Sequence, residues 1–293
     1  MIPPPGPHGG DGPAVASALG IDPTSVVDLS LSLNPFAPDV AALVRRHADA
    51  AIRYPDQTQA TRALAEAIGT DPDRLVLTNG GSEAIALVAA SLGGSVAVEP
   101  EFSLHPRGGS GPRWRSNPNN PMGVLAGRND HADVWDEAYY PMATGTWTRG
   151  DGPVVVGSLT KLFACPGLRL GYVLADDAKH LAAEQPTWPI NTIALAVVPH
   201  LIAEADLAGW HRALAARRAE LSSMLARHGL LARSGDAPWV LVPDGGLRTR
   251  LAPEGIVVRD CTTFGMPGWT RIALPGDDAL ATLDNALERT AHQ

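Results

Sequence analysis

Lysine is almost missing from this chain. Of the 23 basic side chains in 293 residues only Lys161 and Lys179 are lysine, which leaves 23 − 2 = 21 arginines. Basic tracts are missing too, and 31 acidic residues bring the formal net charge to −8. That balance removes the electrostatic footprint that nucleic-acid or anionic-membrane binding needs, so neither partner is expected. Cysteine is equally scarce. Cys165 and Cys261 lie far apart, in neither a CxxC nor a metal-type spacing, which argues against a disulfide framework or a metal site and suits a reducing cytoplasm. No apolar run reaches the roughly 18–20 residues that span a bilayer. The opening Met1-Ile-Pro-Pro-Pro-Gly-Pro lacks the basic and apolar regions of a secretory signal. A soluble cytoplasmic protein is the expectation.

What is present is ample core material: 45% hydrophobic residues against 18% charged, over a length that suggests one large domain and a smaller one. The first 25 or so residues are rich in Gly and Pro and read as an extended arm without a long helix. Helical spacing begins at Val40 and recurs across Thr61–Ile68. Leu75-Val-Leu-Thr, Asn79-Gly-Gly and a helix opening at Ser82, with that serine as its cap, give strand, turn and helix in succession. Further strands are expected at 96–98, 132–135, 153–156 and 170–174. Apolar strands alternating with helices point to an α/β sheet, mostly parallel, with helices on both faces. Beyond Asn191, helices at 192–205 and 207–228, strands at 239–242, 256–259 and 270–274, and a helix from Asp277 describe a small α+β domain. The expected division is an arm at 1–39, a large domain at 40–190 and a small domain at 191–293.

Lys161 stands out chemically. It follows the strand that ends near Ser158 and is embedded among apolar and small residues, with Arg169 eight residues later. A lysine is ordinarily a solvated surface group. In a chain that otherwise uses arginine, however, a lysine at a strand end is a candidate for what arginine cannot do, which is to form a Schiff base with an aldehyde.

Ser158-Leu-Thr-Lys161 followed by Pro166-Gly-Leu-Arg169-Leu-Gly-Tyr resembles the cofactor-lysine segment of fold-type I pyridoxal-phosphate (PLP) enzymes of aminotransferase class I/II. Asn117-Pro-Asn-Asn-Pro-Met-Gly123, Asp136-Glu-Ala-Tyr139 and Asn79-Gly-Gly-Ser-Glu83 resemble that family's Asn-Pro loop, its Asp-Glu-Ala-Tyr and its phosphate-binding turn, in the family's order. The resemblance implies a fold-type I PLP-dependent transferase, with residues 40–190 as the PLP-binding domain. By that analogy Lys161 holds the cofactor aldehyde and moves the substrate proton, Asp136 meets the pyridine nitrogen, and Asn120 and Tyr139 bond the ring hydroxyl. Gly81, Ser82, Ser158 and Arg169 form the phosphate site. His105, or alternatively Phe102, stacks on the ring. Tyr54 resembles the tyrosine supplied from the neighbouring subunit, which implies a homodimer with shared active sites.

The chain ends narrow the resemblance. Pro7-His8-Gly9-Gly10-Asp11 and Val27-Asp-Leu-Ser-Leu-Ser-Leu-Asn34 resemble the opening of threonine-phosphate decarboxylases of cobalamin biosynthesis. Their cousins, the histidinol-phosphate aminotransferases, share the Asn-Pro part. Arg259 and Arg271 resemble the subgroup's C-terminal arginine pair. Arg271 would clamp the substrate carboxylate, and His8, Asn34 and Arg259 would meet the substrate's own phosphate. The implied substrate is a small phosphorylated amino acid. The alternatives are a histidinol-phosphate-type aminotransferase and a non-catalytic PLP- or ligand-binding relative. A more distant one reads Gly80-Gly-Ser82-Glu-Ala as a hydrolase nucleophile elbow, with Asp136 and a later histidine as partners. Ser103–Ser116 and Gly123–Asp136 are compressed relative to the family, so at least one strand–helix excursion is expected to be shortened or missing.

Overall fold

The computed structural model describes residues 2–150 and 152–290. The arm is not wholly extended: Gly12–Leu19 forms a helix (α1). Pro13 falls in its first turn, where a missing N–H has no helical partner to lose, and left-handed Gly20 closes the far end. A short strand, β1 (Val27–Asp28), then leads to α2 (Val40–Arg46) and α3 (Thr58–Ile68).

The central sheet contains β2 (Leu75–Asn79), β3 (Ser95–Val96), β4 (Arg113–Ser116), β5 (Val134–Asp136), β6 (Val154–Gly157) and β7 (Leu170–Ala175), in the order β2-β7-β6-β5-β4-β3. Only β7 runs against its neighbours, so the sheet is mostly parallel. Interleaved are α4 (Gly80–Leu92), α5 (Tyr140–Thr144), α6 (Leu159–Leu162) and α7 (Ala178–Glu184). Strand side chains alternate between two buried faces. Leu75, Leu77, Leu170 and Tyr172 join the larger core, while Val76, Val173 and Ala175 pack with Ile85 and Val88 of α4 and Leu181 of α7. Burial on both faces explains why these strands read as continuous apolar runs. Sequence reading misses β4, since Arg-Trp-Arg-Ser shows one apolar residue; Trp114 and Ser116 nonetheless point inward and the arginines outward. The links β3–β4 and β4–β5, residues 97–112 and 117–133, contain no helix, which is where the expected shortening falls.

The chain continues through α8 (Thr192–Ala203) and α9 (Leu207–Arg227), then β8 (Arg233–Ser234), β9 (Trp239–Val242), α10 (Leu247–Leu251), β10 (Ile256–Val257), β11 (Arg259–Asp260), β12 (Thr270–Ala273) and α11 (Asp277–Thr290). Strands β11-β12-β9-β8 make an antiparallel sheet whose register sets Arg259 directly opposite Arg271. The arm is tied here: β1 pairs with β10, Arg248 donates to Pro3 O and Asp11, and Arg259 donates to Gly6 O and Pro7 O. Among the described residues no single helix is long and apolar enough to cross a membrane.

Candidate active site

A cavity of about 280 Å³ opens where α4 and α6 begin, and it is also lined by β5, the arm and the arginine pair. Its inner end is shaped by close approach of backbone. Gly80 turns β2 into α4 at φ +80°, and a Cβ there would meet the Arg169 guanidinium. A Cβ on Gly171 of β7 would lie 2.5 Å from Gly80 C and 2.6 Å from Gly81 N. These glycines let β7 press against the start of α4, whose first N–H groups have no helical acceptor. Ser82 is not the helix cap. The capping position belongs to Asn79, whose N–H donates to Glu83, so Ser82 falls in the first turn and lines the cavity with Gly81, Ser158 and Arg169. Arg169 itself has φ +58°, a conformation that costs a non-glycine residue on the order of 1–3 kcal/mol. Free N–H groups, two hydroxyls and a guanidinium around one space form an anion cup.

Asp136 ends β5 with a carboxylate that is buried yet lines the cavity. Its Oδ1 accepts from Ala138 N at 3.0 Å and its Oδ2 lies 2.9 Å from His105 Nε2. This relocates His105. The residue expected to stack on a cofactor ring is fully buried behind Asp136 and does not line the cavity, whereas Phe102, three residues earlier, does. His105 Nδ1 sits 3.5 Å from Glu101 Oε2. Burial alone pushes the imidazole down, but the hydrogen bond to Asp136 and the two carboxylates, Asp136 and Glu101, beside the ring outweigh it and bring its pKa to about 9. Among the described residues Ser82 has no such histidine: the imidazole bonded to Asp136 is His105, which precedes that aspartate in the chain and faces Glu101, so the hydrolase arrangement is not assembled there.

Lys161 projects from α6 into the cavity. Asn34 lies beneath it rather than in the cavity. Its backbone N–H donates to Lys161 O, its Nδ2 to Leu162 O, and its Oδ1 accepts from Phe36 N, so its amide is committed to bracing α6 and is not offered to a substrate. Tyr139 and Asn120 line the opposite wall, and Asn120 Oδ1 accepts from Arg271 Nη1 at 2.7 Å. The Arg271 guanidinium sits 4.7 Å over the Trp239 ring and 5.6 Å from that of Phe264. The Arg259 guanidinium also lies over the Phe264 ring, 5.2 Å from its centroid. Its positive charge and burial hold the His8 imidazole below its ordinary range, burial being the larger cause. Trp239, in a strand, and Phe264, in a short turn after β11, escape sequence reading because such aromatic residues look like ordinary core. Tyr54 does not line its own chain's cavity; it is 76% exposed and stacks on Trp188 at 4.3 Å.

A family model described as aminotransferase class I and II matches residues 115–289, more than half of the chain. The chain belongs to this family. Such aminotransferases are PLP-dependent enzymes, and the central sheet and small domain are their fold. Among curated relatives, threonine-phosphate decarboxylase of Salmonella typhimurium is 30% identical over 96% of this chain and 96% of its own. Histidinol-phosphate aminotransferase 1 of Dechloromonas aromatica is 26% identical over 94% of this chain and 92% of its own. The structure of histidinol-phosphate aminotransferase from Sinorhizobium meliloti, in complex with PLP, superposes with a TM-score of 0.79 at 17% identity, covering 96% and 94% of the two chains. The residues present fit that cofactor: an anion cup where glycines at 80, 81 and 171 let backbone and the Arg169 guanidinium approach closely, with the Asp136 carboxylate and Lys161 lining the same cavity.

Proposed function

We propose that this aminotransferase-family enzyme acts on a small phosphorylated amino acid, most like threonine-phosphate decarboxylase. The observation that carries this reading is the guanidinium pair at the outer end of the cavity, Arg259 and Arg271, beside His8. The anion cup serves the cofactor phosphate, so the pair is left for the substrate. Threonine phosphate presents two anionic groups, a carboxylate and a phosphate; histidinol phosphate presents only the second. A second reading has a specific support as well. An aminotransferase must also accept a dicarboxylate amino partner, which two arginines would suit, and relatives of that type share about a quarter of the sequence.

Gly81, Ser82, Ser158 and Arg169 would hold the cofactor phosphate, Phe102 would cover the ring, and Asp136 would keep a proton on the pyridine nitrogen. Asn120 and Tyr139 would bond the ring hydroxyl. Bound PLP supplies an electron sink for the bonds at the substrate's α-carbon. Lys161 would hold the cofactor by its aldehyde and then, with Nζ freed, carry a proton to or from that carbon. Arg271, fixed by Asn120 and the Trp239 face, would orient the substrate carboxylate and so govern which bond at the α-carbon is broken. The enzyme works as a homodimer in this reading, with exposed Tyr54, Trp188 and Ile52 facing the partner. Supplying threonine phosphate and measuring carbon dioxide release against 2-oxoglutarate-dependent amino transfer tests it. Release without a keto acid supports the decarboxylase, and transfer without release replaces it with the aminotransferase.

A further inference from the structure

Glu101 has no part in the roles above, yet it is 1% exposed and fully engaged. Its Oε1 accepts from Ser116 N at 3.1 Å and Asn119 Nδ2 at 3.0 Å; its Oε2 accepts from Ser116 Oγ and from Phe102 N at 3.3 Å. Oε2 is also the atom nearest His105 Nδ1, at 3.5 Å, an ion-pair distance that leaves this buried nitrogen without a hydrogen-bond partner among the described residues. The charged groups around that ring are Asp136 from β5, Glu101 from the same loop, and Arg107, which donates to His105 O at 3.0 Å. The other neighbours, Trp114 of β4 and Phe102, are uncharged.

Tautomers decide the charge. A neutral imidazole with its proton on Nε2 turns a lone pair toward the Glu101 carboxylate, and the other tautomer turns one toward Asp136 Oδ2 at 2.9 Å. Only the doubly protonated ring gives each carboxylate a proton. We propose that Glu101 is a positioning residue for the cofactor end of the site, acting through His105: it keeps the imidazole a cation, fixed in plane, behind Asp136. The inference rests on the reading of Asp136 as the partner of the pyridine nitrogen. Glu101 also fastens the Asn-Pro loop, because Ser116 Oγ accepts from Asn120 N at 2.9 Å, so both ring-side contacts are built on one buried carboxylate.

The test follows the His105 imidazole by nitrogen-15 NMR in the full chain, with the signal assigned from His105→Gln, alongside PLP affinity at about pH 7 and about pH 9. The expected result is that His105 of the wild type holds its proton to about pH 9. In Glu101→Gln its midpoint falls by at least ~1 unit, the scale of losing one opposed charge at contact distance. PLP affinity of that variant then declines several-fold more than wild type between the two pH values. Glu101→Asp restores part of both effects, and Asn119→Ala, which removes one donor to Glu101 Oε1 but keeps the carboxylate charge, leaves the midpoint at or above the wild-type value. A wild-type midpoint at or below ~6.5, the ordinary value, overturns the inference even if Glu101→Gln fails to fold. So does an unmoved midpoint in Glu101→Gln. Asp136→Asn separates the two readings. If it leaves PLP affinity intact, the Asp136 assignment fails and takes this inference with it; if it weakens PLP while Glu101→Gln leaves His105 unmoved, only this inference fails.

Discussion

Gly171→Ala isolates the geometry of the anion cup, because position 171 lies in β7 and touches no ligand. The added Cβ would stand 2.5 Å from Gly80 C and 2.6 Å from Gly81 N, both backbone atoms. Ordinary contact begins near 3.4 Å. Strand and helix start must therefore part by 3.4 − 2.5, or about 0.9 Å. Overpacking of this kind costs about 1–3 kcal/mol of stability. The same displacement carries the Gly81 and Ser82 N–H groups out of hydrogen-bond range of a phosphate seated in the cup. A charge-assisted hydrogen bond contributes about 1.5–3 kcal/mol, so PLP affinity should fall by about 10–100-fold. Equilibrium titration with PLP and urea unfolding of the apo-protein measure the two effects. Gly167→Ala is the control: its Cβ would meet nothing within 4 Å, and both quantities should match wild type. Unchanged PLP affinity in Gly171→Ala, or an equal loss in Gly167→Ala, would refute the argument that backbone approach shapes the cup.

Four further outcomes are expected. Lys161→Ala should abolish the absorbance of lysine-linked cofactor and cut turnover by about 10²–10⁴-fold, whereas Lys179→Arg, an exposed partner of Asp73, should leave turnover and melting temperature unchanged; equal loss in both would break the distinction. His105 gains its proton more readily folded than unfolded, so its stabilisation is complete below about pH 6.5 and is lost as pH rises through about 9; apo-protein unfolding should show a decline on the order of 2–3 kcal/mol, and a flat or rising profile contradicts it. Arg259→Ala leaves the carbonyls of Gly6 and Pro7 without their donor. Limited proteolysis should then cut before α1 sooner, and KM for threonine phosphate should rise more than kcat falls; an arm as resistant as wild type argues otherwise. Trp239→Ala removes the face under Arg271 and a buried ring bonded to Pro121 O, with an expected loss of about 3–5 kcal/mol that urea unfolding reads directly.

Much of the site was legible because its chemistry restricts residue type. The roles expected of Lys161, Asp136, Ser82 and Arg169 are ones few side chains could perform, and the structure brings all four to one cavity. What failed was direction. Asn34 and His105 occupy positions that the resemblance marks, but it does not say which way a side chain turns. Asn34 turns down onto α6 because Leu162 O there and Phe36 N in its own turn need partners, and His105 turns in because two carboxylates are buried beside it. Glu101 escaped notice since an acid in a polar loop reads as solvated; only its burial distinguishes it. The helix α1 was hidden by Gly12 and Pro13, residues that weaken a helix interior but suit its first turn.

Strand β7 is the last of the central sheet to be synthesised, yet it lies inside it, between β2 and β6. That places a constraint on the order of folding. From Asn79 until Leu170 emerges, some ninety residues later, β2 has no sheet neighbour, and its apolar run stays available to other chains. Arg169 and Gly171 sit at the entry to the same strand, so the anion cup closes in the step that completes the sheet. A nascent chain stalled before Leu170 should therefore capture no PLP, and capture by such a chain would show that the cup assembles without β7. If the cup holds the cofactor phosphate, its loading is coupled to the most non-local pairing in the central sheet, and free PLP would trap the completed sheet rather than guide its early collapse.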